Sequence, residues 1–465
     1  MKKAVAGIIV LAGLAAAAIL ASQAVEHDRE YRRLIVHGDE ALGRGQTFVA
    51  IEAYSGAIVL KPDSMLAYLK RGEAHQRRGS TPETLAAALR DLRTAADLDP
   101  GATRVLEELG DVNVQLGRYA NAADNYEAYL RLDDHAAPIF YKLALAARGD
   151  GRLTRAISAL QQALKLNPLF HEAHYVLGLC FKDREELTEA RAAFARASAI
   201  DPDFIPAREE LAELHRLQQR TRDEIDQLDA LSALDPDKPE RLIAVGRAHL
   251  RAGNRDLAVM TLGRATENFK ENPGVYAALG QVWLDAAEDR GDPSDLRKAL
   301  EALAPVAELP SANSETLGMY GRALVLAGRY VEAEAILRQA SQRFPIDPEV
   351  LPHFASVAQR LGHLEDARQA LVTYSALVDE DREEAARAAR VADLSMQLNE
   401  AVTAAAWFQK SDKLRAGDAS LLARMADAQW RAGQVEAALV TIRRSIEKDP
   451  SHPLAQAVAR RIQAR

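Results

Sequence analysis

Proline, glycine and alanine recur in this chain at a fixed interval, and the interval restricts its fold more than any single motif does. Pro62 lies ten residues before Gly72, Pro168 ten before Gly178, Pro236 ten before Gly246, and Pro202 ten before Ala212. When a proline is taken as the end of each unit, a small residue stands at position 8, glycine often at 15 and alanine at 20. An aromatic residue or leucine follows at 24, alanine at 27 and proline at 32. The first unit reads Gly38, Gly45, Ala50, Tyr54, Ala57, Pro62. The fifth reads Gly178, Ala190, Phe194, Ala197, Pro202, and the ninth Gly321, Gly328, Ala333, Leu337, Ala340, Pro345. The period is 34 residues, a length at which repeats stack one on the next.

Each period holds two apolar-periodic stretches of roughly a dozen residues, which predicts two helices per unit. Gly or Ala at positions 8 and 20 removes side-chain bulk where the two helices cross, and Tyr54, Tyr126, Phe194 and Phe408 fill the space beside that crossing. Glycine at 15 suits a turn with positive φ. Asp-Pro or Asn-Pro closes the second helix, because a residue before proline avoids the helical region. One such unit cannot bury both of its faces, so neighbours must stack. With 5% aromatics and no long alternating β-branched run, sheet is not suggested.

These residues resemble the tetratricopeptide repeat family. About twelve units can be phased over residues 31–452, beginning at Tyr31, Met65, Thr103, Ala137, His171, Ile205, Pro239, Pro273, Ser314, Pro348, Ala385 and Ala419. Insertions at Ser80–Thr84 and Asp289–Asp295 are expected to lengthen turns, and a few residues after Asp379 shift the eleventh unit. Residues 453–465 read as a capping helix over the open end. The resemblance implies an all-α fold, a right-handed superhelical solenoid, preceded by one N-terminal apolar helix. Family members of this kind bind partners rather than catalyse, and no stretch is left over for a catalytic domain.

Lys2 and Lys3 precede an apolar run from Ala4 to Ala21, extended by Ala24 and Val25. A helix crossing a bilayer core needs roughly 20 apolar residues, so residues 1–25 are expected to be a transmembrane anchor. A signal peptide cleaved near Ala24 is the alternative, and a buried soluble helix a third reading. Residues 26–30 are expected to form a short linker. A basic start followed by an apolar run points the remainder outward, to the periplasm or exterior, although Arg29, Arg32 and Arg33 weaken that signal. As an alternative, the chain is secreted to the periplasm after cleavage.

The stretch HEAHYVLGLC carries His171, Glu172, His174 and Cys180, the one cysteine of the chain. His171 and His174 roughly share a helix face, but Cys180 points to the opposite side. The spacing is also too short for the zinc-protease pattern, which sets two histidines four apart. Two surface histidines and a buried thiol are expected, with no metal and no cofactor. Neither a phosphate loop, a nucleophile elbow nor a dinucleotide fingerprint occurs. A net charge of −8 argues against a nucleic-acid partner.

In the resembled family the first helix of each unit lines an inner groove through positions 2, 5, 9 and 12. In units four and five these give Tyr141, Leu145, Arg148, Tyr175, Leu179 and Lys182, an apolar, aromatic floor with a cationic rim, suited to a protein or peptide ligand with acidic flanks. Glu73, Glu107, Glu108 and Asp111 before it, and Glu209 and Glu213 after it, make acidic bands. Packing of the tyrosines on neighbouring helices is the competing reading. The family's clamp for chaperone tails needs Lys at position 5 and Asn at 9, and Ile35, Asp39, Tyr141 and Leu145 do not supply it. The function expected is a non-enzymatic scaffold at the bacterial envelope, in envelope or exported-polymer assembly, resembling repeat proteins of polysaccharide export, pilus assembly or lipopolysaccharide regulation. The alternative is a glycan-binding or enzymatic envelope protein that uses the groove aromatics.

Overall fold

Helix pairs make up most of the described chain. A computed structural model describes residues 2–378 and 382–463, with side chains described at 20–378 and 382–462. Among the described residues there are twenty-five α-helices and no strand. They form two compact bodies, Met1–Gln227 and Leu228–Arg465. Within each body the two helices of a unit pack on each other, and the second packs on the first helix of the following unit. First helices also lie side by side. In the first body α3 (Met65–Arg78) lies against α5 (Thr103–Gln115), and α7 (Ala137–Gly149) against α9 (His171–Asp183). In the second body α13 (Pro239–Arg251), α15 (Pro273–Arg290), α17 (Ser314–Leu326) and α19 (Val350–Arg360) succeed one another in the same way.

The fixed positions of the period explain this packing. At position 8, Gly178 of α9 lies so close to Phe194 of α10 (Leu187–Ile200) that a Cβ there would stand 2.5 Å from the ring. Phe194 is completely buried, and burying such a ring contributes about 1.5–3 kcal/mol. Gly38 meets Tyr54, Gly110 meets Tyr126, and Gly321 meets Leu337 in the same way. Position 15 turns the chain with positive φ, as at Gly45 (75°) and Gly328 (73°). The second helices end where the sequence places them, since Asn167 and Asp201, each before a proline, are extended with φ of −133° and −121°.

Three boundaries differ from those expected. Residues 26–30 are not a separate linker, because one helix, α1, runs unbroken from Lys2 to Gly43. The two insertions lengthen helices rather than turns. At Ser80–Thr84 the break is short, and α4 (Pro82–Leu98) begins within the insertion, with Thr81 Oγ1 capping the Thr84 N–H, and runs for 17 residues. At Asp289–Asp295 the extra length extends α15 to 18 residues, and α16 (Pro293–Ala307) starts three residues after Arg290, capped by Asp292. Proline at N1 behind a capping oxygen starts a helix readily. The phase shift after Asp379 falls on residues 379–381, outside those described.

At the end of the second body, α25 (Pro453–Gln463) packs on α23 (Ala419–Arg431) and α24 (Val435–Lys448). Its Ala455, Val458 and Ile462 join Ala423, Ala426, Ala438 and Ile442 in one buried layer. Among the described residues no helix is long and apolar enough to cross a membrane. The side chains of residues 2–19, where most of the apolar run from Ala4 falls, lie outside those described.

Candidate partner-binding face

At three junctions an acid at position 9 of one first helix meets a base at position 6 of the following one. Lys70 Nζ reaches Asp39 at 3.0 Å, Lys142 Nζ reaches Asp111 at 2.7 Å, and Arg424 of α23 pairs with Asp393 of α21 (Glu384–Gln397). From beneath, the position-24 phenols hold the same acids: Tyr54 Oη donates to Asp39 at 2.7 Å and Tyr126 Oη to Asp111 at 2.6 Å. These two carboxylates therefore tie a unit to itself and to its successor. The acids expected to form a free band are likewise engaged. Arg104 bonds Glu73 at 2.9 Å, Lys142 also bonds Glu107 at 2.7 Å, and Arg216 bonds Glu213 at 2.7 Å. Glu108 is the exception in its energetics. Burial, then Glu73 and Asp111, push its carboxyl above the usual range.

The six residues expected to line the groove fall along the neighbouring helices α7 and α9. Tyr141 is half-buried and packs on Phe170 with ring centroids 5.0 Å apart. Tyr175 is wedged between Phe194 at 5.7 Å and Phe204 at 5.3 Å. Burial raises both phenol pKa values, with Glu172 adding at Tyr141 and Glu210 at Tyr175. Leu179 packs with Tyr175 over the core formed by Phe194, Leu211 and Leu214, whereas Leu145 remains 38% exposed. The cationic rim is spoken for from within the protein, as Arg148 Nε donates to Asp183 at 2.8 Å and Lys182 Nζ to Glu210 at 2.5 Å. The face is thus an aromatic ledge with its charges paired across units. Ring edges, an exposed leucine and paired charges make up its surface.

Within the HEAH cluster His171 Nδ1 stays 3.2 Å from Glu172. His171 faces Asp201 at 3.6 Å and the edge of Phe204 at 4.9 Å. His174 Nε2 lies 3.1 Å from the Pro168 carbonyl, and burial lowers its pKa. Cys180 is fully buried, and burial pushes its thiol up to about 11. Sequence reading missed a different grouping, Glu334, His363 and Asp366, whose ligand atoms lie within 4.8 Å of one another. The Arg338 guanidinium bonds two of these acids, Glu334 at 3.1 Å and Asp366 at 2.6 Å.

Comparison with known proteins agrees with this architecture. Residues 83–137 and 141–203 match one tetratricopeptide repeat family model, and residues 324–392 match a second. Tetratricopeptide repeat protein 13 of Homo sapiens is 28% identical over 176 residues, which are 38% of this chain. The match spans only 20% of that relative's length. Among solved structures, MamA is 23% identical, with 38% of this chain and 93% of that chain covered and a TM-score of 0.36. YrrB, described as a TPR protein with an unusual peptide-binding site, is 25% identical over 42% of this chain and 97% of its own, with a TM-score of 0.35. The 34-residue period, the close packing at its fixed positions and the matched segments place the chain among the tetratricopeptide-repeat proteins.

Proposed function

We propose that the chain is a non-enzymatic scaffold that holds protein or peptide partners on its first-helix face at the bacterial cell envelope. Tetratricopeptide repeats bind such partners, and the described residues are spent on helix pairs. One observation carries the reading. α7 and α9 carry the packed rings of Tyr141 and Tyr175 and the exposed Leu145, with Arg148 and Lys182 one turn further on. Rigid aromatic residues with an apolar anchor and competing charges are what a peptide-binding surface requires. The apolar N-terminal run supports tethering to a membrane, with the repeats in the periplasm or outside and cleavage near Ala24 as the alternative. The test is a cross-linked pull-down from native membranes with wild type and a Tyr141→Ala/Tyr175→Ala variant of verified folding. A protein captured by wild type and lost from the variant is the expected result. Absence of any captured protein, together with glycan-array binding, would overturn the reading.

A further inference from the structure

The first helix of unit one is also the helix that carries the apolar N-terminal run. α1 passes from Val25 to Tyr31 without a break, and its side chains are described from Leu20 onward. No flexible joint therefore separates the end of the run from the repeats. α2 (Thr47–Leu60) returns antiparallel along α1 and brings the turn at residues 61–64 back beside residues 28–31. Lys61 Nζ bonds Asp28 and lies 4.6 Å from the centroid of the Tyr31 ring, and Tyr31 Oη is 2.7 Å from Ser64 Oγ. At about 1.5 Å per residue, Asp28 stands about 5 Å beyond Val25 and Tyr31 about 9 Å. The polar layer of a bilayer is about 5–7 Å deep on each side. Gly43, where unit one makes its other turn, is about 27 Å beyond Val25.

Apolar side chains flank the 61–64 turn in the open. Val59 is 79% exposed, Leu66 at the start of α3 is 40% exposed, and Pro62 between them is exposed. Lower on α1, a cavity of about 390 Å³ is lined by Ala24, Val25, Asp28, Arg29 and Arg32. The charges at this end of unit one balance. Glu26, Asp28, Glu30 and Asp63 are four acids, and Arg29, Arg32, Arg33 and Lys61 are four bases. Asp28 pairs with Arg32 at 2.8 Å as well as with Lys61, and Glu30 pairs with Arg33 at 3.6 Å. Such a surface has apolar side chains to place at an interface and no net charge to draw it to anionic lipid.

We propose that residues 59–66 rest in the headgroup layer of the membrane that α1 enters, with Val59, Pro62 and Leu66 against the lipid. This rests on the tethering reading and adds what that reading leaves open, the way unit one stands on the bilayer. The turn after α2 is directed to the lipid, and the turn after α1, at residues 44–46, points away from it. Because the contact is apolar and its charges cancel, it forms equally on zwitterionic and anionic lipid.

The test uses the full chain reconstituted in phosphatidylcholine vesicles that contain a lipid with a nitroxide near the head of its acyl chain. A cysteine is introduced by Val59→Cys, Leu66→Cys, Phe48→Cys or Leu14→Cys and labelled with the fluorophore NBD, while Cys180, fully buried, stays out of reach. Phe48 is the reference, because it is 66% exposed and stands at the opposite end of unit one, at the start of α2. Labels at 59 and 66 are expected to lose several-fold more fluorescence than the label at 48. The loss should be the same when phosphatidylglycerol is added, and helical circular dichroism should be unchanged in all four variants. Quenching at 14, with labels at 59 and 66 no different from the one at 48, would keep the tether and overturn this contact. Quenching at none of the four positions would overturn the tether and the contact together. Quenching at 59 and 66 that requires phosphatidylglycerol would make the contact one of charge and overturn the apolar reading.

Discussion

Replacing Gly178 by alanine adds one methyl group to a helix, a change that ordinarily gains about 1 kcal/mol. Here the new Cβ would stand 2.5, 2.6 and 2.9 Å from three atoms of the Phe194 ring. Favourable carbon contacts begin at about 3.5 Å, so ring and helix must separate by roughly 1 Å. Phe194 has no room to withdraw, because it is fully buried and Tyr175 leans on it at 5.7 Å. Overpacking of this kind costs about 1–3 kcal/mol, and the propensity gain offsets only part of it. Gly178→Ala should therefore lower the stability of the first body by about 1–2 kcal/mol. Gly263→Ala makes the same chemical change in α14 (Arg255–Asn268), where a Cβ would meet nothing within 4 Å, and should stabilise by up to about 1 kcal/mol. Stacked repeats need not unfold in a single step, so hydrogen exchange of amides in α9 and α10, and separately in α14, is the appropriate assay. Adding Phe194→Leu to Gly178→Ala should recover part of the loss, a coupling that a double-mutant cycle measures. If both alanine variants slow exchange equally, close packing at position 8 is not what makes glycine necessary there.

Other outcomes follow from the same geometry. Glu185 occupies the turn position at φ 63°, where a side chain is strained, and Glu185→Gly should raise thermal stability by about 0.5–1 kcal/mol despite the freer unfolded chain. The Glu108 carboxyl is raised above its ordinary 4.5, so the folded state binds its proton more tightly than the unfolded state does. Its contribution to stability should fall as pH rises from 4.5 through the raised value, and Glu108→Gln should flatten that decline in urea midpoints measured between pH 4 and 8. Tyr126→Phe removes the phenol's bond to Asp111 and should cost about 1 kcal/mol by denaturant titration. Cys180, with its thiol pushed up to about 11 inside the core, should resist iodoacetamide at pH 8 and react once urea unfolds the first body.

Much of this architecture can be read in one dimension. Helix starts expected at Met65, Thr103, Ala137, His171, Ile205, Pro239, Pro273, Ser314 and Ala419 coincide with the first residues of helices. They are legible because proline and glycine act locally: the residue before proline leaves the helical region, and position 15 turns the chain wherever it falls. The fate of the insertions was not legible, because extra length satisfies the period equally well as a loop or as added helical turns. Thr81-Pro82 and Asp292-Pro293 tipped the choice toward helix.

The candidate faces divide along the same line. The chain alone determines that Tyr141, Leu145 and Arg148 share one side of a helix, and likewise Tyr175, Leu179 and Lys182, because 3.6 residues per turn requires it. It also determines which positions are acids and bases. What those side chains touch was decided only when first helices came to lie side by side. Packing set the tyrosine rings against Phe170, Phe194 and Phe204, and neighbouring first helices spent Arg148 and Lys182 on Asp183 and Glu210. A helix's periodicity is a property of its own backbone, whereas the partner of a charge depends on the register between two helices about 34 residues apart in sequence, which packing alone establishes.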